Sequence, residues 1–595
     1  MFPNRKRKYP FFKKNFKTQN KRGRWAESEA KVASSVPLKD YNSMVNLFAS
    51  RCQMREGINP TKAQISRYHI LERGNTGREI CRRIIGTHIG PSRSYSNFDN
   101  VIPALSPILE SFKNQHNRFN YLDKLKFVIA TGDKKYAKQK YKNQIHMRFM
   151  QTFVKILLRK IIPVELFGTA RNVKVLKHTI NCLLKTVPKR MKIKKPFKRT
   201  LHKEDGTAMG ASLDIRPLLK RLDISKINWL HSIESNNGRW IMILKLLHWF
   251  FAQYVVKILH KYVVLIPLKG QWVYITKDDW CRMQEEFIKE KESSGALEPW
   301  TPTSPTSLAK LPSFIPIGSY KFIPGSSGVR AVFLAKYAIK PIFDDIDVTL
   351  RFLQQLYATK LSKKVRNVTR CHEDINKFKE STKNRLYYVC CDIQDAFGSI
   401  IQEKLYDIIK MYCRELSHNK PLSLSTCMLS RARKSCMKNK NQNKAQTVLF
   451  KDLKSALKNI ESSEACLKSV SRGKLVSKIQ KLIFQQKVKL NDRVYSIKLG
   501  VPQGISTSPI LSDIYYQHMI NELFSEYISK GFLRRYVDDI LYITESEHAA
   551  TEVLELVRNG IPDYNVKFNP NKIESNVGLP YTPTKIKFLG CDVQF

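Results

Sequence analysis

The sequence predicts an α+β protein with a mainly helical first half and a second half built on a sheet. From about residue 36 to 285 the apolar residues recur at helical spacing, as in 148–162 and 172–187. After residue 307, short runs rich in β-branched and aromatic residues alternate with helical segments. These patterns indicate two successive domains, a helical one over 36–285 and a sheet-based one over 286–595.

The charge of the chain narrows the choice of partner. The 595 residues include 104 Lys and Arg but only 50 Asp and Glu, a formal net charge of +54. Such an excess repels itself unless a polyanion is present, so nucleic acid is the expected partner, and an acidic membrane surface is the weaker alternative. A hydrophobic fraction of 42% argues against a wholly disordered basic protein.

The termini and the cysteines indicate a compartment. Residues 1–35 are rich in Lys and Arg and contain no long apolar run, so they predict a basic disordered arm rather than a secretory signal. The arm would serve in nuclear import or nucleic-acid contact, and a merely solvated tail is the alternative. The 12 cysteines form no C-x-x-C pair, which favours reduced thiols in a cytosolic or nuclear protein.

The longest apolar stretch, over 241–268, is interrupted by lysines, histidines and a glutamine. Most of these polar residues fall on one side at helical spacing. The stretch therefore predicts an amphipathic helix rather than a membrane span, and we expect no membrane partner.

Two segments of the second half place carboxylates in apolar surroundings. "LRRYVDDILYIT" holds Asp538 and Asp539 inside an apolar run, and "YYVCCDIQDAF" holds Asp392 at the end of an apolar strand. Burying an unpaired carboxylate is costly. A turn between two strands would let the paired acids face one point, and a third carboxylate would complete a divalent cation site with oxygen ligands. For an isolated D-D pair, a surface turn is the alternative.

Between these segments, "LGVPQGISTSPILSDIYY" (499–516) predicts a glycine-containing turn that leads into a helix. Gly500 and Gly504 lack side chains, which would let the backbone approach a flat ligand. Each motif alone is weakly informative. Their order is specific: a strand ending in D-x-x-x-x-F, then P-Q-G before a helix, then Y-V-D-D in a hairpin resembles the palm of reverse transcriptases.

This resemblance implies catalysis by two Mg²⁺ ions about 3.5–4 Å apart, which clamp the attacking 3′-hydroxyl and the leaving pyrophosphate. Asp392 and Asp538 would bind or bridge the ions, with Asp539 as the third carboxylate. Phe397 would stack under the sugar and exclude a 2′-hydroxyl, unless it is a plain core aromatic. Gln503 and Gly504 of the P-Q-G turn would contact the nucleotide.

Two further segments extend the resemblance to the nucleotide's phosphates. "KFIPGSSGVRAV" (321–332) is similar to the paired fingers strands, in which Arg330 would hold the triphosphate. The family usually has a lysine after I-P, where this chain has Gly325, so either Lys321 or another cation would have to assist, or nucleotide affinity would be lower. "VKFNPNKIESN" (566–576) resembles the loop that carries a lysine near the leaving pyrophosphate, and Lys572 would act there as proton donor or counter-charge.

The second half also resembles the family around the palm. The segment 404–488 is basic, rich in Ser and Asn and predicted to be mostly helical, which fits the family's fingers insertion. "FLGCDVQF" (588–595) matches the start of the primer-grip hairpin at the C-terminus. The family places a helical thumb after this hairpin, and we expect it to be missing because the chain stops at Phe595.

The helical half resembles the RNA-binding domain of telomerase reverse transcriptases. The segments 161–184, 222–230 and 246–262 occur in the family's order. The F/W-G-S-x-x-N signature is represented by Phe167, Gly168 and Asn172, and the family's L-H-W motif contains Trp249, followed by Tyr254. These five residues would contact RNA. The F-Y-x-T-E tail of the second motif is replaced by "YVVLIPL" (262–268).

The resemblance implies an RNA-directed DNA polymerase that copies the template of a bound telomerase RNA onto chromosome 3′ ends. Its partners would be that RNA, a telomeric single-stranded DNA primer and deoxynucleoside triphosphates, and its location the nucleus at the telomere. We expect no segment before the basic arm that could form the separate N-terminal anchor domain of many telomerases, so the expected shape resembles the shortened insect type. The alternatives are a retroelement reverse transcriptase and an RNA-binding scaffold whose polymerase fold has decayed.

Overall fold

The computed structural model describes residues 44–49, 75–87, 98–132, 140–185, 189–190, 209–268, 271–301, 315, 317–335, 346, 350, 353–354, 368–382, 384–416, 422–429, 444–450, 466–470, 472–490, 493–580 and 584–595. The predicted arm over 1–35 lies outside the described residues. The described residues divide into two compact units, one within 44–280 and one within 281–595. The domain boundaries given above stay predictions.

The first unit is mainly helical, with two small antiparallel sheets, one of order β1-β3-β2 and one of β4 and β5. Its longer helices are α1 Gly77–Ile85, α2 Ile102–Arg118, α3 Tyr121–Ala130, α4 Met147–Lys160, α5 Ala170–Lys185 and α6 Asn236–Tyr262. Its strands are β1 Met44–Ala49, β2 Lys189–Arg190, β3 Met209–Asp214, β4 Val263–Leu268 and β5 Gln271–Thr276.

Local sequence accounts for the start of α1 and for the packing of α4. Thr76 and Glu79 form a capping box, each side chain binding the other residue's backbone N–H. Helix α4 buries Phe149, Phe153 and Leu157, which recur at helical spacing and so lie on one face. Helix α4 lies within a few residues of the segment 148–162, where the periodicity predicted a helix.

Helix α6 differs from the prediction. The sequence predicted one amphipathic helix over 241–268, but the helix ends at Tyr262 and the next six residues form β4. By length and composition α6 could cross a membrane, yet 72% of its most apolar window is buried inside the protein. It contains a π-helical stretch over Trp249–Val255. A helix that is apolar on all sides is stable when buried, so α6 is the core helix of its unit.

The second unit contains two larger sheets. The elements of this part are α7 Lys277–Ser293, β6 Leu297–Pro299, β7 Ile317–Pro324, β8 Val329–Ala335, α8 Val368–Glu380, β9 Tyr387–Asp392, α9 Gln402–Leu416, β10 Leu422–Leu429, β11 Lys444–Phe450, β12 Cys466–Val470, α10 Arg472–Phe484, β13 Lys487–Leu490, β14 Arg493–Ile497, α11 Ser508–Leu523, α12 Ser525–Lys530, β15 Gly531–Tyr536, β16 Asp539–Thr544, α13 Glu547–Asn559, β17 Glu574–Ser575, β18 Lys585–Phe588 and β19 Cys591–Gln594. The division between the units falls within α7.

The five-stranded sheet, which we call the fingers sheet, has the order β6-β14-β13-β7-β8, and only β13 and β7 pair in parallel. The four-stranded antiparallel sheet, which we call the palm sheet, has the order β15-β16-β9-β17. The predicted α+β class with a helical part followed by fingers and palm is confirmed.

The palm sheet is buried on both faces. On β9, Val389 and Cys391 pack into one apolar cluster, whereas Tyr388 packs into a second cluster with Ile586 and Phe588 of the C-terminal hairpin. Neighbouring residues of a strand face opposite sides, so a sheet covered on both sides needs continuous apolar strands. This explains why the acids stand out in such strands: they come where the strands end.

The predicted insertion is only partly helical. Helices α9 and α10 lie near its ends, but the described residues between them form an antiparallel sheet of order β11-β10-β12. The prediction of a mostly helical segment was therefore wrong for these residues. Its basic, Ser-rich composition has no clear helical or strand period, and pairing between distant strands decides the outcome.

Candidate active site

Three carboxylates meet at one end of the palm sheet. Strands β9 and β16 are antiparallel neighbours, and their register places Asp392 directly opposite Asp539. Side chains opposite each other in such a pair lie on the same face, with Cβ atoms about 5 Å apart. Asp538 belongs to the two-residue turn that joins Tyr536 to Asp539. The structure thus brings the three predicted acids together, with one oxygen of each within 4.8 Å of the others.

The three acids are in electrostatic conflict with one another. Burial and the charges of Asp538 and Asp392 raise the pKa of Asp539 to about 6. Burial raises the pKa of Asp538, and Asp392 adds to this, whereas Lys572 and Arg330 act in the opposite direction. Clustered carboxylate oxygens are the donors that a hard divalent cation prefers, and such an ion would relieve the repulsion. The donor set therefore fits a divalent metal.

Lys572 lies beside these acids. Its Nζ is 2.8 Å from Oδ2 of Asp392, and its side chain is 54% exposed. The backbone of its loop is tied to the end of β9, because Asn569 N donates to the Asp392 carbonyl at 2.9 Å. The sequence placed Lys572 near the site, and the structure does so too, but its part in catalysis stays a prediction.

The fingers hairpin of β7 and β8 presents one face that carries the predicted cations. The register pairs Ile323 with Arg330 and Lys321 with Val332, so all four side chains lie on the same face. Arg330 is exposed and its charge acts on the pKa of Asp538, whose largest shift comes from burial. Burial lowers the pKa of Lys321.

The other face of this hairpin packs against the core of the fingers sheet through Phe333, Tyr320 and Phe322. At the tip, Gly325 N donates to the Gly328 carbonyl at 2.8 Å, which closes the turn. The apolar face of the hairpin thus packs against the protein core, and the face with the cations can bind a ligand.

The turn over 499–504 packs against backbone of the same unit, whereas the sequence predicted that its glycines would let a ligand approach. A Cβ on Gly504 would lie 2.4 Å from the Phe333 carbonyl oxygen, and one on Gly500 would lie 2.6 Å from that of Phe397. Both glycines have positive φ, of +127° and +81°. Their lack of a side chain lets the turn lie against β8 and the loop after β9. Gln503 and Gly504 are both exposed there, and their contact with a nucleotide stays a prediction.

Phe397 is partly buried and packs against the palm core. Its carbonyl accepts from Val501 N at 2.8 Å. The loop that carries it is held by an ion pair that sequence reasoning missed: Lys291 Nζ lies 2.6 Å from Oδ2 of Asp395, whose φ is +49°. The two residues are 104 positions apart, so no local pattern could have indicated the contact. The sugar-excluding role of Phe397 stays a prediction.

Four of the five predicted RNA contacts have side chains buried in the core of the first unit. Phe167 and Asn172 are 0% exposed, Trp249 is 2% exposed and Tyr254 is 3% exposed. Gly168 is partly exposed, but one side of it lies against backbone, since a Cβ there would be 2.0 Å from the Lys226 carbonyl oxygen. Their burial gives the four side chains a structural role, and the contact of the five residues with RNA stays a prediction.

The signature residues form a joint between two segments. The Asn172 amide donates to the carbonyls of Phe167 and Asp223 at 2.8 Å each, and its Oδ1 accepts from Asp223 N at 3.0 Å. Nearby, Trp229 Nε1 donates to the Leu166 carbonyl at 3.1 Å. The F-G-x-x-x-N pattern thus fixes the start of α5 against the segment 222–230, which explains its residue types without a ligand.

The aromatic residues of α6 form a second buried group. The Tyr254 hydroxyl lies 3.1 Å from that of Tyr121, and its ring meets Phe112 edge-on at 4.8 Å. The segment 262–268, which stands where the family has the F-Y-x-T-E tail, comprises the last residue of α6 and strand β4, and β4 pairs with β5 as a hairpin.

Comparisons with known proteins agree with this geometry. The family described as "Reverse transcriptase (RNA-dependent DNA polymerase)" matches residues 400–593. The chain is 22% identical to the telomerase reverse transcriptase of Takifugu rubripes over 84% of its length and 48% of that protein. It is 23% identical to that of Rattus norvegicus over 71% of its length and 40% of that protein. It thus spans less than half of these curated relatives.

Among solved structures, the telomerase of Candida tropicalis in complex with the TWJ fragment of telomeric RNA is similar in fold. The TM-score is 0.59 at 18% identity, over 92% of this chain and 78% of that chain. The likeness covers both the helical part and the part with the two sheets.

Proposed function

Because the chain is related to the telomerase reverse transcriptases along most of its length, we propose that it is the RNA-directed DNA polymerase of a telomerase. It copies the template of a bound RNA onto chromosome 3′ ends. The observation that carries the proposal is the convergence of Asp392, Asp538 and Asp539 to within 4.8 Å. A decayed scaffold has no need to keep three mutually repelling acids at one point.

In this proposal Asp392, Asp538 and Asp539 hold two Mg²⁺ ions. When bound, such ions supply Lewis-acid stabilisation of the attacking and leaving oxygens in phosphoryl transfer. The chain's own contribution is to fix three oxygen donors at the end of a buried sheet. Lys572 adds a positive charge beside Asp392 and can give a proton to the leaving pyrophosphate.

The cationic face of the fingers hairpin binds the triphosphate of an incoming deoxynucleotide. Arg330 is exposed on that face and suits an oxyanion because its guanidinium offers several donors in a plane. Lys321 lies on the same face. It supplies the positive charge of the lysine that the family usually has at the position of Gly325. Phe397 limits the space at the sugar, and the exposed amide of Gln503 can donate to the nucleotide.

The telomerase RNA is held in the first unit by cations that are exposed or partly exposed rather than by the buried aromatics. Lys155 and Arg159 on α4 and Lys174 and Lys177 on α5 form what we call the basic ridge, on two helices that pack together. Burial lowers the pKa of Lys177, and the other three charges add to the effect. Converging like charges attract a phosphate backbone. A single-stranded telomeric primer and a location at the telomere in the nucleus follow from the proposed activity.

The test is a primer-extension assay with the full chain, purified together with RNA from the organism that encodes the protein. A ladder with a constant repeat length is expected, and it must disappear in the Asp538→Ala variant. A single product that ends where an added template ends would indicate a retroelement enzyme instead. RNA binding without nucleotide addition, under Mg²⁺ and under Mn²⁺, would indicate a scaffold and overturn the proposal.

A further inference from the structure

A buried ion pair lies behind the hairpin that carries Asp538 and Asp539. Arg535 on β15 and Asp513 on α11 have side chains that are 4% and 9% exposed. Arg535 Nη2 donates to Oδ1 of Asp513 at 2.5 Å and to the Asp513 carbonyl at 3.3 Å. The other carboxylate oxygen accepts from the amide of Gln354. The pair is therefore fixed to helix α11 at several points.

The same guanidinium reaches the tip of the hairpin. Arg535 Nη1 donates to the Val537 carbonyl at 2.9 Å. On the other side, Ile393 N donates to the Asp538 carbonyl at 3.0 Å, next to Asp392 on β9. Both peptide units that flank the Asp538 Cα are thus anchored, one to Arg535 and through it to α11, the other to the residue that follows β9. Because these two units determine the direction of the Cα–Cβ bond, the anchors aim the Asp538 carboxylate.

Val537 explains why the tip needs such an anchor. Its φ is +58°, in the left-handed region that a β-branched residue avoids. Its side chain is 39% exposed, so packing does little to hold this conformation. Without a bond to its carbonyl, the turn would relax toward a less strained geometry and carry Asp538 with it.

We propose that Arg535 and Asp513 are positioning residues that hold the strained turn and thereby aim Asp538 at the metal-binding point. A planar guanidinium can serve the Val537 carbonyl and the Asp513 carboxylate at once, which a lysine ammonium on a flexible stem cannot do with the same geometry. The inference rests on the proposed function only for its activity readout. Its metal readout needs neither RNA nor primer.

The test compares Mn²⁺ binding by the full chain and by its Arg535→Lys variant, measured by electron paramagnetic resonance well below each melting temperature. Weaker Mn²⁺ binding is expected, with kcat for nucleotide addition falling roughly 10- to 100-fold, as for a small misplacement of a catalytic group. The KM for the deoxynucleotide should change little, since Arg330 and Lys321 are untouched. Asp513→Asn, which keeps the acceptor but removes the charge, should act in the same direction with a smaller effect.

Two further variants separate positioning from general destabilisation. Lys487→Met removes another buried cation of this unit, which is 8% exposed and donates to Ser496 Oγ at 2.7 Å, and should leave Mn²⁺ binding unchanged. Val537→Gly should partly restore Mn²⁺ binding to the Arg535→Lys protein, because glycine adopts the turn without strain.

Parental Mn²⁺ affinity in the folded Arg535→Lys protein, or no rescue by Val537→Gly, would overturn the inference. Failure of every form to extend a primer, with the Mn²⁺ differences intact, would count against the proposed polymerase and leave the inference standing.

Discussion

In the second unit three carboxylates face one point at the end of a sheet, whereas in the first unit the most recognisable motif residues have almost no exposed surface. Asp538 and Asp539 have pKa values raised by burial and by neighbouring acids, which is an unfavourable state that a ligand can relieve. Asn172 uses both amide N–H groups and its amide oxygen in hydrogen bonds to nearby backbone. A sequence motif can therefore mark either a site that needs a ligand or a set of residues whose contacts are already made within the protein.

The two regions should differ in how a substitution affects activity and folding stability. Replacing an acid of the carboxylate site removes function and eases repulsion, so it should spare or improve folding. Replacing a joint residue of the first unit leaves a cavity or an unpaired carbonyl, so it should harm folding before it affects any ligand. The predictions below separate these two cases.

The largest effect is expected from Asp538→Ala. Loss of one of three metal-binding carboxylates should lower nucleotide addition by roughly 10³-fold or more. RNA affinity should stay at the parental value, because the proposed function places the RNA contacts in the first unit. Primer-extension rates and filter-binding affinities measured on one preparation check both parts. Polymerisation near the parental rate with Mg²⁺ would refute the assignment of the carboxylate site.

Phe167→Ala should act in the opposite way. Truncating a fully buried phenylalanine costs about 3–5 kcal/mol of unfolding free energy, so the melting temperature should fall clearly. The RNA affinity of the protein that remains folded should not change. Phe127→Ala is the matched control, since that ring is 56% exposed on α3 and should cost little. A loss of RNA affinity without a loss of stability would instead indicate that Phe167 contacts the RNA directly.

Much of the second unit could be predicted from sequence because its signals are local. The runs around 319–335, 385–393 and 535–544 became strands β7, β8, β9, β15 and β16, within a few residues. Strong β-forming residues bounded by turns specify such strands without help from distant segments. The convergence of Asp392 with the D-D pair followed from the order of motifs.

The rest depended on contacts that no local pattern reports. A buried aromatic such as Trp249 and one that stacks on RNA look alike in sequence, because burial depends on what packs around it. The ion pair of Lys291 with Asp395, and that of Arg535 with Asp513, join residues from separate elements. The strands β10 to β12 lie in a segment whose composition favours no regular structure, so tertiary pairing overrode the helical expectation.

Phe397→Ala tests whether a partly buried motif residue has a role in function, as the three acids have in the proposal, or a role in packing, as Phe167 and Asn172 have. If the ring limits the space at the sugar, its removal should improve ribonucleotide use relative to deoxynucleotide use by roughly tenfold or more. Single-nucleotide addition with each nucleotide type measures the ratio. An unchanged ratio with a lower melting temperature would place Phe397 with the core.

Asp539→Asn should reveal the repulsion in the carboxylate site as a pH effect. The folded-state pKa of Asp539 is about 6, above its usual value of 3.8. The stability linked to its protonation is therefore fully present below about pH 4 and lost as the pH rises through about 6. The metal-free parent should lose stability relative to Asp539→Asn between pH 4 and 7, and Mg²⁺ should restore it at pH 7. Parallel melting curves across this range would contradict the shift.

The smallest effect is expected on the basic ridge, where each charge contributes a share of an electrostatic contact. Lys174→Ala removes one exposed cation of the ridge without disturbing a buried group. The slope of log K against log salt should become shallower by about 0.7–0.9, and the affinity should fall only a few-fold. Lys126→Ala on α3 is the control, since it removes an equally exposed positive charge outside the ridge. If both variants change the slope equally, RNA is held by the diffuse charge of the whole unit rather than by the ridge.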